Sequence, residues 1–194
     1  MRWGSLVRSS TTRSSRADRV ILVVADADTL FGATTRGLLI HLDYRGLIRL
    51  HWSALILDEL SRALVETGRK VDEQAAQRHE QLLRASLPHA EIAVTAVDAQ
   101  IEAVAHAVRS KKDVHVAACA HALLGSQHYP RVKTINLVTK NIRDFGIRKL
   151  AELGVEVARP DDFLLALFDR NAIGCGFCRA ARHTAIDADA QSSA

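Results

Sequence analysis

Nowhere in the 194-residue chain does an apolar run approach the roughly 20 residues that a membrane-spanning helix needs, so no membrane segment is expected. No apolar stretch precedes Val20 either, which speaks against a secretory signal. Cysteine is scarce. Cys119, Cys175 and Cys178 are odd in number and follow no disulfide framework, which points to a reducing, cytoplasmic setting. Cys175 and Cys178 form a C-x-x-C, but no second Cys or His pair stands at zinc spacing and no thioredoxin-like strand precedes it. His115 and His121 likewise lack the spacing of a metal pair. No glycine-rich loop follows the first apolar strand, which sets a nucleotide-binding Rossmann protein last among the α/β alternatives.

What is present suffices for one domain. With 48% apolar and 25% charged residues, the chain can bury the core of a globular unit of roughly 100 to 150 residues plus tails. A net charge of +4 and a pI near 9.2 suit a polyanionic partner. Of the 26 basic residues 20 are Arg, whose planar fork matches phosphate. Residues 1–18 carry Arg2, Arg8, Arg13 and Arg16 among Ser and Thr and read as a disordered basic tail. Residues 19–170 read as the folded domain, and 171–194, small residues without lasting periodicity, as a poorly ordered C-terminal tail.

The domain is organised around Val20 to Phe31, VILVVADADTLF. Its apolar run reads as a buried strand that stops on Asp26, with Asp28 two residues on, and α/β proteins keep their chemistry at such strand ends. Asp26 equally suits a cap of the turn that follows. Leu38, Leu39 and Leu42 then recur at helical spacing, with Gly46 placed to end the helix. Ser53 is a plausible N-cap for a helix whose apolar arc is Ile56, Leu57, Leu60, Ala63 and Leu64. Glu59 falls at the edge of that arc and Asp58 points to solvent; a rim pairing of Glu59 with Arg62 is the plainer reading. Residues 71–87 read as a surface helix, 90–97 as a strand, and 98–108 as one helix. A buried helix begins at Asp113, where a carboxylate is favoured by the exposed N–H groups. Thr134 to Val138 is a second buried strand, followed by Thr139, Asn141 and Asp144. A short strand at 155–157 and a helix from Pro160 complete an alternation that predicts a parallel sheet with helices on both faces.

Asp26, Glu59, Asp113 and Asp144 are remote in sequence. Brought into one pocket, four carboxylates would repel too strongly to stay ionised unless a divalent cation joined them. Oxygen donors with retained waters suit Mg²⁺ or Mn²⁺ rather than Zn²⁺, and such a site fits metal-assisted phosphodiester hydrolysis.

Taken in order, VVADADTLF, HWSALILDELSRAL, KDVHVAACA, LVTKNIRDF and RPDDFLLAL make the chain resemble the PIN-domain nucleases from about Val20 to Phe168. The resemblance is to the VapC-like toxins of bacterial type II toxin-antitoxin modules in particular. It implies a three-layer α/β/α fold with a parallel sheet of about five strands. It also implies Mg²⁺- or Mn²⁺-dependent cleavage of RNA, a homodimer, and a cognate antitoxin that covers the site. By position, Asp26 and Asp113 match the most direct metal ligands, with Glu59 and Asp144 binding directly or through water. Thr139 and Asn141 match residues that orient the pocket. Asp28 stands where the family usually has Asn. Lys112, Lys140 and Arg143 lie beside these motifs, placed either to meet an RNA backbone or on a solvated rim. A catalytically silent PIN-fold binding module, and a phosphatase or DNA nuclease using the same carboxylate logic, remain as alternatives.

Overall fold

The computed structural model describes residues 20–172. The basic tail, Cys175 and Cys178 lie outside them, as does the C-terminal tail except for its first two residues, which continue the last helix to Ala172. In chain order the elements are β1 (Ile21–Ala25), α1 (Ala27–Phe31), α2 (Ala33–Tyr44), β2 (Ile48–Ser53), α3 (Ala54–Glu66), α4 (Glu73–Ser86) and β3 (Glu91–Ile92). They continue with α5 (Val94–Asp98), α6 (Ile101–Ala105), α7 (Val114–His121), β4 (Ile135–Val138), α8 (Ile147–Glu152), β5 (Val155–Ala158) and α9 (Pro160–Ala172). Short 3₁₀ turns at Lys111–Asp113 and Ile142–Asp144 lead into α7 and towards α8.

The five strands form one wholly parallel sheet in the order β3-β2-β1-β4-β5, flanked by helices in an α/β/α arrangement. β1 is central, which is why its Val, Leu and Ala residues are buried without alternation. The chain steps from β1 to one side through β2 and β3, then returns to place β4 on the other. The carboxyl ends of β1 and β4 therefore flank the point where strand order reverses, the usual crevice of open α/β sheets. α7 lies across β1, β2, β4 and β5, and Val116 to Ala120 are buried along it. Cys119 is wholly buried, and burial pushes its thiol up to about 12 against a hydrogen bond with Ser53, so it packs as a small apolar group. Among the described residues no helix is long and apolar enough to cross a membrane.

Local expectations hold at several termini. Ser53 caps α3, its Oγ accepting from Ile56 N at 3.4 Å. After α2, Gly46 adopts φ +68°, and its N–H donates to Asp43 O at 2.7 Å to close the helix end.

The region from 90 to 108 differs from its sequence pattern. Only Glu91 and Ile92 pair, with Trp52 and Ser53 of β2, and the chain then turns into α5. Ile92 and Val94 fit the strand period, whereas Val94 and Val97 fit the helical one; burial of Val97 and the packing of α5 on α7 decide for helix. The helix expected over 98–108 is broken at Ala99 and Gln100, whose Oε1 accepts from His121 Nδ1 at 2.7 Å. Val108 leaves the helix altogether to form an antiparallel bridge with Phe145.

That bridge is tightly packed. Gly146 N donates to Ala107 O at 2.7 Å, and a Cβ on Gly146 would lie 2.7 Å from the same oxygen. Backbone must shift to admit it. Gly146→Ala is therefore expected to cost about 1–3 kcal/mol. Urea denaturation should show a lower midpoint with an unchanged slope; an unchanged midpoint would mean that the bridge yields freely.

Candidate active site

Asp26 is where strand, helix and site meet. Its backbone N–H donates to Val138 O at 3.2 Å, tying the end of β1 to the end of β4. As N-cap of α1 it accepts at Oδ1 from Thr29 N, 2.9 Å away, while Oδ2 accepts from Thr139 Oγ1. Thr29 Oγ1 donates to Val138 O at 3.0 Å, and Asn141 N donates to Thr139 Oγ1 at 3.0 Å. Both threonines are fully buried, so the Asp26 carboxylate is held by two rigid donors at the switch point. Capping and site roles coincide in one residue. Burial raises Asp26 to about 6; the Thr139 and Thr29 bonds oppose that rise, and the charge of Asp28 adds to it.

A cavity of about 290 Å³ opens on this carboxylate. Five acidic residues line it: Asp26, Asp28, Glu59, Glu66 and Asp113. Arg62 and Lys112 are its cations, and Asn141 and Phe145 complete the wall beside β4. Glu59 reaches it from the half-buried edge of α3; its Oε2 stands 3.6 Å from His115 Nε2, beyond hydrogen-bond distance, and the expected pairing with Arg62 is not formed. His115 Nδ1 is occupied by Lys112 O at 2.7 Å.

Asp113 occupies the N-cap position of α7 yet makes no capping hydrogen bond with its side chain. Its Oδ2 is buried without a hydrogen-bond partner among the described residues. The plain capping role is thus unfilled, and the residue stands on the wall of the acidic cavity. A side-chain oxygen shielded from solvent with no donor to satisfy it is a candidate ligand for a cation.

Three of the four carboxylates singled out in the sequence, Asp26, Glu59 and Asp113, therefore share one cavity. Asp144 does not reach its wall: it accepts from Asn141 Nδ2 and so lies one hydrogen bond behind a residue that does. Thr139 likewise acts through Asp26. Lys112 is on the rim, whereas Lys140 is exposed, its Nζ 3.5 Å from where a Cβ on Gly32 would stand. Arg143 lines the neighbouring cavity instead. Asp28, Arg62 and Glu66 join the site by positions that sequence reasoning underused. Glu59, Arg62 and Glu66 stand at i, i+3 and i+7, one face of α3.

Among the described residues no three His, Cys, Asp or Glu side chains converge closely enough to hold a metal ion as they stand. The donor set nonetheless fits a hard divalent cation: carboxylate oxygens, one of them orphaned, with no sulfur ligand on the wall.

No family model and no curated protein matches the chain. Among solved structures, PAE2754 from Pyrobaculum aerophilum is similar at 18% identity over 76% of this chain and 95% of that one, with a TM-score of 0.44.

Proposed function

We propose that the chain is a Mg²⁺- or Mn²⁺-dependent endoribonuclease of PIN type, acting as the toxin of a type II toxin-antitoxin pair in the cytoplasm, with the acidic cavity as its cleavage site. The observation that carries this reading is the partnerless Asp113 Oδ2 in a cavity shared with the desolvated Asp26. Asp26 and Asp113 would hold the ion directly and Glu59 directly or through water; Asp144 contributes from behind Asn141. When bound, the ion supplies the compensating positive charge and the Lewis acidity that phosphodiester hydrolysis requires.

The protein's own groups do the positioning. Thr29 and Thr139 fix both oxygens of Asp26, so little reorganisation remains to be done there. The Asp144 carboxylate accepts from the Asn141 amide and so fixes that side chain on the cavity wall. Lys112 and Arg62 sit at the edge, where they favour approach of a polyanion to an otherwise repelling site. A homodimer and a cognate antitoxin over the cavity belong to the same reading and rest on the motif resemblance.

A silent PIN-fold binding module is the second reading, to which the absence of three gathered ligands among the described residues is relevant. Incubation with total RNA, with and without Mn²⁺, followed by mapping of new ends separates the two. Discrete Mn²⁺-dependent ends support the nuclease; intact RNA beside clear Mn²⁺ stabilisation of the protein supports the module.

A further inference from the structure

Beside the acidic cavity lies a larger one of opposite character, about 720 Å³ in volume. Arg109, Arg143, Arg148 and Lys149 stand on its wall, against Glu152 as the one carboxylate there. Its apolar lining includes Val108, half-buried, Ile147, 46% exposed, and the edge of the buried Phe145. The two cavities are neighbours. Phe145 lines both, and Asn141 faces the acidic one while Ile142 and Arg143, next in the chain, face the basic one.

The wall is built on fixed backbone. Arg109 N donates to Asp144 O at 2.7 Å, and its Nη1 donates to Arg143 O at 3.2 Å. Lys149 Nζ donates to His106 O at 3.1 Å. Arg143 and Arg148 are exposed, and neither is paired with a carboxylate among the described residues. Like charges gathered around an apolar lining repel one another, and a phosphate-bearing ligand relieves that repulsion. An acidic cavity alone would also repel a polyanion, so cations immediately beside it serve to bring one there.

We propose that the basic cavity holds one nucleotide of a single polynucleotide strand whose neighbouring phosphodiester lies at the acidic cavity. The base rests on Ile147 and Val108, and the flanking phosphate on the guanidinium groups of Arg143 and Arg148. The choice of strand rests on the nuclease reading. Single-stranded form follows from that lining, because paired bases in a duplex cannot reach an apolar surface within a cavity.

Fluorescence anisotropy with a labelled single-stranded RNA oligonucleotide, in chelator and with the full chain, tests this. Arg143→Ala/Arg148→Ala should bind at least about tenfold more weakly at low salt, and its slope of log K against log salt should be shallower by about 1.4. Arg143→Lys/Arg148→Lys, which keeps the charge, should keep the slope and verifies that the surface tolerates substitution. In Mn²⁺ the alanine pair should raise KM more than it changes kcat. Unchanged affinity and slope in the alanine pair, equal binding of a duplex of the same sequence, or displacement of RNA by polyglutamate at equal charge concentration would each overturn the proposal. RNA bound through these arginines but left uncut in Mn²⁺ would contradict the nuclease reading and keep the binding site. Cut RNA with an unchanged KM in the alanine pair would do the reverse.

Discussion

Asp26→Asn and Asp113→Asn should each lower Mn²⁺-dependent RNA cleavage by about 10²- to 10³-fold, the scale set by removing one preorganised electrostatic group from a reaction centre. Each keeps the shape of its side chain and removes one negative charge from a cavity lined by five acids. Asn at 26 still caps α1, since its amide oxygen can accept from Thr29 N. Asn at 113 leaves a position with no side-chain capping bond to lose. Both variants should therefore fold, and the loss falls on chemistry. Growth arrest on expression in a bacterium should vanish with either substitution. Wild-type cleavage by either variant at saturating Mn²⁺ would remove that residue from the site.

Asp26→Asn should also make the protein more stable in chelator at pH 7.5, by about 1–2 kcal/mol. A carboxylate raised from 3.8 to about 6 by burial favours the folded state while protonated. That contribution is fully present below the unfolded value and is lost as pH rises through about 6, a change of about 3 kcal/mol. Asn avoids it at every pH, and leaving Thr139 or Thr29 with a poorer acceptor takes back about 1 kcal/mol. His51 acts in the opposite sense. Burial lowers its imidazole to about 4, against the Ala90 carbonyl bond that favours the charged ring. Its contribution is thus present above its unfolded value of 6.5 and is lost as pH falls towards 4, again about 3 kcal/mol. In the wild type the two largely cancel between pH 4 and 6. Urea denaturation in chelator should show Asp26→Asn losing about 2 kcal/mol more than wild type between pH 6.5 and 4. Parallel profiles for the two proteins would contradict the desolvation of Asp26.

The sheet and most of the site were legible because local chemistry and tertiary position agree there. An unbroken apolar run ending on an acid marks a central parallel strand, and Ser53 before an amphipathic arc marks a helix start. What could not be read depended on partners distant in sequence. Asp43 looks like a polar residue near a helix end, yet it is buried, accepting from Leu50 N at 2.7 Å, His89 Nε2 at 3.1 Å and Arg49 Nη1 at 3.1 Å. His51 sits in β2 like any strand residue; its burial and its 3.2 Å contact with Tyr129 belong to the fold, not to its neighbours in the chain. Asn141 and Asp144 share a helical face, as their spacing suggests, but the two side chains bond to each other, and that bond holds Asp144 back from the cavity. Asp28 stands only two residues after Asp26 in the sequence, and it is the turn of α1 that brings it to the cavity wall.

Calorimetric titration of the full chain with Mn²⁺ at pH 5.5, in two buffers of different ionisation enthalpy, probes directly whether a divalent ion draws these remote acids together. Wild type should bind the ion and release most of one proton, because Asp26 must ionise to coordinate it, whereas Asp26→Asn/Asp113→Asn should show neither heat nor proton release. Equal binding by that double variant, or no binding by wild type at millimolar Mn²⁺, would contradict it.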